Sequence, residues 1–152
     1  MFDTKRTIAV VYLLALATCF FPLVSVSPAA LGKTEWSMWD FWSLASGPNP
    51  AAWWWLGDDI SRLSLTHALL AVGLLLLWLP HYLKVTFICV LLCLRSIGPL
   101  LQRHYTISHM LENRAGWHHG TIATSHEAYV LPALLVFLLL VLAIEWNHSA
   151  KA

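Results

Sequence analysis

The sequence predicts an all-α integral membrane protein, with four transmembrane helices and short interfacial helices in the first outer loop. Three observations carry that expectation. Of 152 residues, 59% are hydrophobic and only 11% charged, against about a quarter charged in ordinary soluble domains. The apolar residues gather into runs near the length of about twenty that a hydrocarbon core demands. Prolines and aspartates punctuate those runs where helices begin and end. A soluble domain this short cannot hide so much apolar surface, so lipid is the predicted solvent and partner for much of it.

The first span is expected over residues 7–27, TIAVVYLLALATCFFPLVSVS, directly after Lys5 and Arg6. A basic start, an apolar stretch and the small residues of SPAALG would also suit a cleaved secretory signal, but the apolar run is long for one. It is therefore read as a retained helix, bent or broken by Pro22 near its outer end. The second span is expected over 60–79, with Asp58 or Asp59 as its N-cap and Pro80 as its stop. Only Pro80, His81 and Tyr82 separate it from the third, over 83–101, so the two predict an antiparallel hairpin. The fourth is expected over 128–146, with Pro132 in its first turn, where a missing amide hydrogen costs least. These spans leave a single membrane domain over 1–152, with outer loops at 28–59 and 102–127.

Basic residues set the orientation. With the N-terminus inside, Lys5, Arg6, Lys84 and Lys151 fall on the inner side, and Lys33, Arg62, Arg103 and Arg114 on the outer. The count is even, and Lys5 and Arg6 decide it because they adjoin the first helix. Both termini are thus expected in the cytoplasm of a bacterial-type inner membrane.

The stretch EWSMWDFWSL, residues 35–44, holds Trp36, Trp39, Phe41 and Trp42. The three-residue spacing places the indoles along one side of a short helix, and Ser37 with Asp40 has the form of a capping box that starts it. Asn49 and Pro50 similarly predict a short helical turn carrying Trp53, Trp54 and Trp55. Indoles favour the bilayer interface, so one account places both helices on the outer leaflet. Six of nine tryptophans between residues 36 and 55 is a high density for that purpose alone. Tryptophan is also enriched at binding hot spots, which predicts a docking face for another membrane subunit. The same rings would suit stacking on a sugar, lipid or quinone ring. Arg95 is the charge set within a span, and it reads as an internal tie or a contact to the same neighbour.

The expected function is accordingly that of a non-catalytic accessory or assembly subunit of a larger membrane complex. Its contacts would be Trp36, Trp39, Phe41, Trp42, Trp53, Trp54, Trp55 and Arg95. No GxSxG turn, glycine-rich phosphate loop or CxxC motif offers catalysis. Net charge of +1 with scattered basic residues excludes a nucleic-acid footprint. Cys19, Cys89 and Cys93 all lie inside apolar runs and read as packing residues.

The alternative is a redox component that binds metal or haem. Of eight histidines, five lie in the second outer loop: His104, His109, His118, His119 and His126. Imidazole suits copper or zinc, but a site needs three or four converging ligands. His104 and His109 point about 140° apart on an ideal helix, and adjacent His118 and His119 diverge as well. His67 and His81, fourteen residues apart, have a spacing that resembles bis-histidine cytochrome b proteins, in which one helix holds two haems. That resemblance implies haem ligation by these two, although Pro80 should end the helix before His81. A further alternative, lipid or small-molecule transport, needs a polar cavity that the spans give little material to line. FFPLVSV and WSMWD, about a dozen residues together, resemble phrases of the paraquat-inducible protein A group of bacterial four-span proteins, and no site residue follows from them. The threading also resembles thiol-oxidising quinone reductases, whose paired outer-loop cysteines are lacking here.

Overall fold

A computed structural model describes residues 3–45, 58–97, 111–112 and 116–149. In chain order these form α1 (Thr4–Ala17), a 3₁₀ turn (Thr18–Phe20), β1 (Pro22–Ala30), β2 (Lys33–Ser37) and α2 (Met38–Ala45). There follow α3 (Asp58–Leu76), α4 (Tyr82–Ile97), β3 (Thr121–Thr124), a second 3₁₀ turn (His126–Tyr129) and α5 (Val130–Ser149). The long helices pack in a ring: α1 and α4 each lie against both α3 and α5.

The all-α expectation is overturned by a three-stranded antiparallel sheet in the order β2-β1-β3. Its central strand is the outer third of the predicted first span. Pro22 is the physical cause, because proline pushes the residue before it out of the helical region, and Phe21 is extended at φ −79°, ψ 147°. Beyond it the side chains alternate, with Val24 and Val26 buried and Ser25 and Ser27 turned away from the core, the period of two that a strand presents. Both edges of that strand are then paired. Val24 lies opposite Trp36 on one side and Thr124 on the other, and Val26 lies opposite Ile122. Leu31 and Gly32 join β1 to β2 with φ of 49° and 77°. Both are left-handed, the backbone that a two-residue hairpin turn requires.

The four-span expectation is corrected at the same time. Among the described residues one helical run, His126–His148, is long and apolar enough to cross a membrane. It matches the predicted fourth span, and Pro132 does stand in the first turn of α5. The other helices fall short. Asp3 caps α1 by accepting from the Arg6 amide at 3.3 Å, and the helix ends after 14 residues, about 21 Å of rise against a core of about 30 Å. Helix α3 already runs from Asp58, so the two aspartates occupy its first turn, and its apolar part is confined to Ser61–Leu76. Four residues before Pro80 the chain tightens, with Leu77 and Leu79 amides bonded to the carbonyls three residues back. Helix α4 covers 16 described residues, Tyr82–Ile97, and the expected end of the third span at residue 101 lies outside the described residues.

The core lies where the helices converge. Ile8, Val11, Tyr12 and Ala15 recur at helical spacing on one face of α1, and Leu131, Leu135, Leu138 and Leu142 do so on α5. Gly73 of α3 lets Tyr12 approach, since a Cβ there would come 2.8 Å from the tyrosine hydroxyl oxygen. Cys19, Cys89 and Cys93 are buried and unbridged. The outward faces are apolar as well, as Leu13, Leu75, Ile88, Leu91, Leu140 and Ile144 show.

Candidate functional site

The residues from the end of α1 to α2 wrap over α3 and form an aromatic corner. Ser37 and Asp40 build it through the expected capping box. The Asp40 amide donates to Ser37 Oγ at 3.2 Å, and the Ser37 amide donates back to Asp40 Oδ2 at 2.9 Å. Lys33 at the start of β2 closes an ion pair on the same carboxylate. Partial burial works against ionisation of Asp40, but the Lys33 ammonium and the Ser37 hydrogen bonds outweigh it and hold the carboxyl below its usual range. The cap thereby fixes the direction in which α2 leaves the sheet.

That direction separates the predicted contact residues. Trp36 belongs to β2 rather than to the helix and is 3% exposed, packed on buried Phe41 with ring centroids 5.5 Å apart. Trp42 is half-buried and donates its indole N–H to Ser64 Oγ of α3 at 2.8 Å. Trp39 is the outward one at 52% exposure, its ring tilted against Phe20, which is also exposed, with centroids 5.3 Å apart. Trp53, Trp54 and Trp55 lie outside the described residues. Arg95 is exposed in the last turn of α4 and makes no ion pair among the described residues.

Beneath Trp42 lies His67. It is 6% exposed, with the indole set edge-on at 5.8 Å. His67 Nδ1 is 2.9 Å from the Leu63 carbonyl oxygen, and Nε2 is 3.4 Å from Thr18 Oγ1. Beside it an apolar groove of about 550 Å³ runs between the end of α1 and α3, walled by Leu16, Phe20, Trp42 and His67. A separate small cavity of about 30 Å³ adjoins His67, Thr18 and Glu127. Thr18, Phe20 and Ser64 went unnoticed in the sequence. The available signal was polar residues, Thr18 and His67, within otherwise apolar runs.

The other candidate ligands do not gather. His118 and His119 are exposed with ring centroids 6.4 Å apart, and His126 is exposed in the second 3₁₀ turn. His104 and His109 lie outside the described residues. Among the described residues no three His, Cys, Asp or Glu side chains group as a metal site would require. His81 falls in the turn after α3 has ended at Leu76. It therefore shares no helix with His67, and the spacing that resembled a two-haem helix is not realised.

At the opposite end of the bundle, Thr4 of α1 donates to Glu145 of α5 at 2.9 Å. Lys5 lies over the rings of Trp78 and Tyr82, at 5.2 and 5.3 Å from their centroids. Comparison with known protein families, curated proteins and solved structures finds no match for this chain.

Proposed function

We propose that the protein is a membrane-anchored accessory or assembly subunit that docks another membrane protein at its aromatic corner. The observation that carries this reading is an apolar surface in the wrong place for water. Large aliphatic side chains are exposed on α1, α3, α4 and α5 alike, beyond the few hundred Å² of apolar patch that soluble monomers show. Helix α5 is the anchor. The outward faces of the shorter helices rest on acyl chains and on the apolar helices of a neighbour.

The partner is a membrane protein because the exposed Phe20–Trp39 pair is continuous with that apolar surface, through Leu16 and Leu13 of α1. Such paired aromatic rings are the side chains that dominate binding energies when a partner removes their water. The finer placement follows the cations. Lys5, Arg6 and Lys84 cluster at the end where α1 starts and α5 finishes, so that end faces the cytoplasm of a bacterial inner membrane and the sheet faces outward.

Alkaline extraction of membranes tests the anchor, and size analysis after gentle solubilisation tests the docking. The reading expects a pellet-bound chain that migrates with a second protein. A chain released by alkali, or one that runs alone in mild detergent, overturns it.

A further inference from the structure

At the end of the bundle away from the sheet, a second groove of about 450 Å³ runs between α1 and α3. Ala9, Leu74, Leu75, Leu77 and Trp78 wall it, and Asp3, Lys5 and Arg6 line it where α1 begins. Its volume falls within the range of about 300–1,000 Å³ that small-molecule sites occupy. The apolar walls face outward, with Leu75 71% and Trp78 84% exposed. Two of the three charges cancel, because Arg6 Nε pairs with Asp3 Oδ2 at 3.0 Å. Lys5 differs. It is half-buried and makes no ion pair among the described residues. The other carboxylate at this end, Glu145, accepts from Thr4 Oγ1 at 2.9 Å. The Lys5 ammonium is held instead over the rings of Trp78 and Tyr82, at 5.2 and 5.3 Å from their centroids.

A ring face attracts a cation without neutralising it. The two rings therefore fix where the Lys5 charge stands and leave it without a counter-ion. The same contact sets the sign of a ligand, since an ammonium approaching these rings meets Lys5 and is repelled, whereas a phosphate is attracted. A free anion would satisfy Lys5 and leave the apolar walls bare. An uncharged alkyl chain would cover the walls and leave Lys5 as it is. A molecule that does both carries an anionic head joined to an acyl chain. We infer that this groove binds an anionic phospholipid, its phosphate on the Lys5 ammonium and the start of one acyl chain along Ala9, Leu74 and Trp78. The inference rests on the membrane-anchored reading, which supplies the lipid, and is independent of docking at the aromatic corner.

Binding is measured calorimetrically on the purified full chain in micelles of an uncharged detergent. The probes are dioctanoyl phosphatidylglycerol, dioctanoyl phosphatidylcholine and inorganic phosphate. The first should saturate one site and bind about 5-fold tighter than the second, the scale of one lysine acting on an anionic lipid. Inorganic phosphate should bind more weakly than either lipid, because it leaves the walls uncovered. That comparison needs no substitution, so it stands whether or not a variant folds. Lys5→Gln should erase the preference, and Lys84→Gln, an equal loss of charge outside the groove, should keep it. Equal affinities for the two lipids, phosphate binding as tight as that of phosphatidylglycerol, or a preference that responds alike to both substitutions would overturn the assignment. A chain that stays in the pellet on alkaline extraction but lacks the preference overturns this inference and leaves the anchor standing.

Discussion

The two ends of the helix bundle use the same materials, indoles and cations, in opposite ways. At the sheet end three of the described indoles turn inward, and Trp39 is the outward one. Trp36 is buried, Trp42 donates to Ser64, and Trp117 donates to the Pro28 carbonyl at 2.8 Å. The strand cation there, Lys33, is consumed by Asp40. At the other end Trp78 stands 84% exposed with Lys5 over its ring, and Trp146 is exposed beside Phe87. The difference is one of acceptors. Trp42 and Trp117 are held inward where a serine hydroxyl and a strand carbonyl meet the indole N–H, whereas the buried Trp36 N–H meets no acceptor among the described residues. Where the surroundings are aliphatic and basic, the ring stays at the surface, as at a bilayer interface.

Substitutions of the buried residues at the sheet end should therefore destabilise the fold, and those at the basic end should not. The largest effect is expected at Gly120, whose replacement by Ala would drive a Cβ into the Trp117 indole and to 2.7 Å from the Ser27 carbonyl oxygen. Overpacking of that kind costs about 1–3 kcal/mol or more, and a thermal melt should show a lowered midpoint. An unchanged midpoint would mean that Trp117 does not clamp β1. Gly73→Ala is expected to cost about 1–2 kcal/mol by the same mechanism, because it meets the Tyr12 hydroxyl. That hydroxyl is buried without a hydrogen-bond partner among the described residues, so Tyr12→Phe should be tolerated and should restore part of the loss in the double variant.

Ser37→Ala removes the cap of α2 and should cost about 1 kcal/mol. The same cap has a pH signature. Since the fold holds the Asp40 carboxyl below its unfolded value, its stabilisation is complete above the usual carboxylate range and is lost as pH falls through the lowered folded value. Asp40→Asn should flatten that acid limb of a stability profile, and an unaltered limb would remove Asp40 from the account. A smaller gain, about 0.5–1 kcal/mol, is expected from Leu31→Asn, which suits the left-handed turn that leucine occupies at φ 49°. At the basic end, Trp78→Ala should change stability by less than about 0.5 kcal/mol.

How far the chain could be read beforehand follows the range of the interactions. Helix α5 and the Ser37–Asp40 box are local, and both were legible. The PLVSVS segment was not, because a short apolar run looks alike in a buried helix and a strand. Its identity is decided by β3, whose Ala123 backbone lies opposite Ser25 across almost a hundred residues of chain. The aromatic spacing misled in the same way. Residues 36, 39 and 42 share a face only if one helix carries all three, and the strand ends between the first and second. The groove was hidden because its walls come from three distant stretches of chain, around Phe20, Trp42 and His67, and none has a neighbour in sequence that hints at the others.

The contrast between the ends is tested most directly by copurification from gently solubilised membranes, comparing the unmodified chain with Phe20→Ala/Trp39→Ala and with Trp78→Ala. All three should insert equally. The unmodified chain and Trp78→Ala should retain a membrane-protein partner, and the Phe20→Ala/Trp39→Ala variant should lose it. Retention by all three, or loss with Trp78→Ala alone, would contradict docking at the aromatic corner.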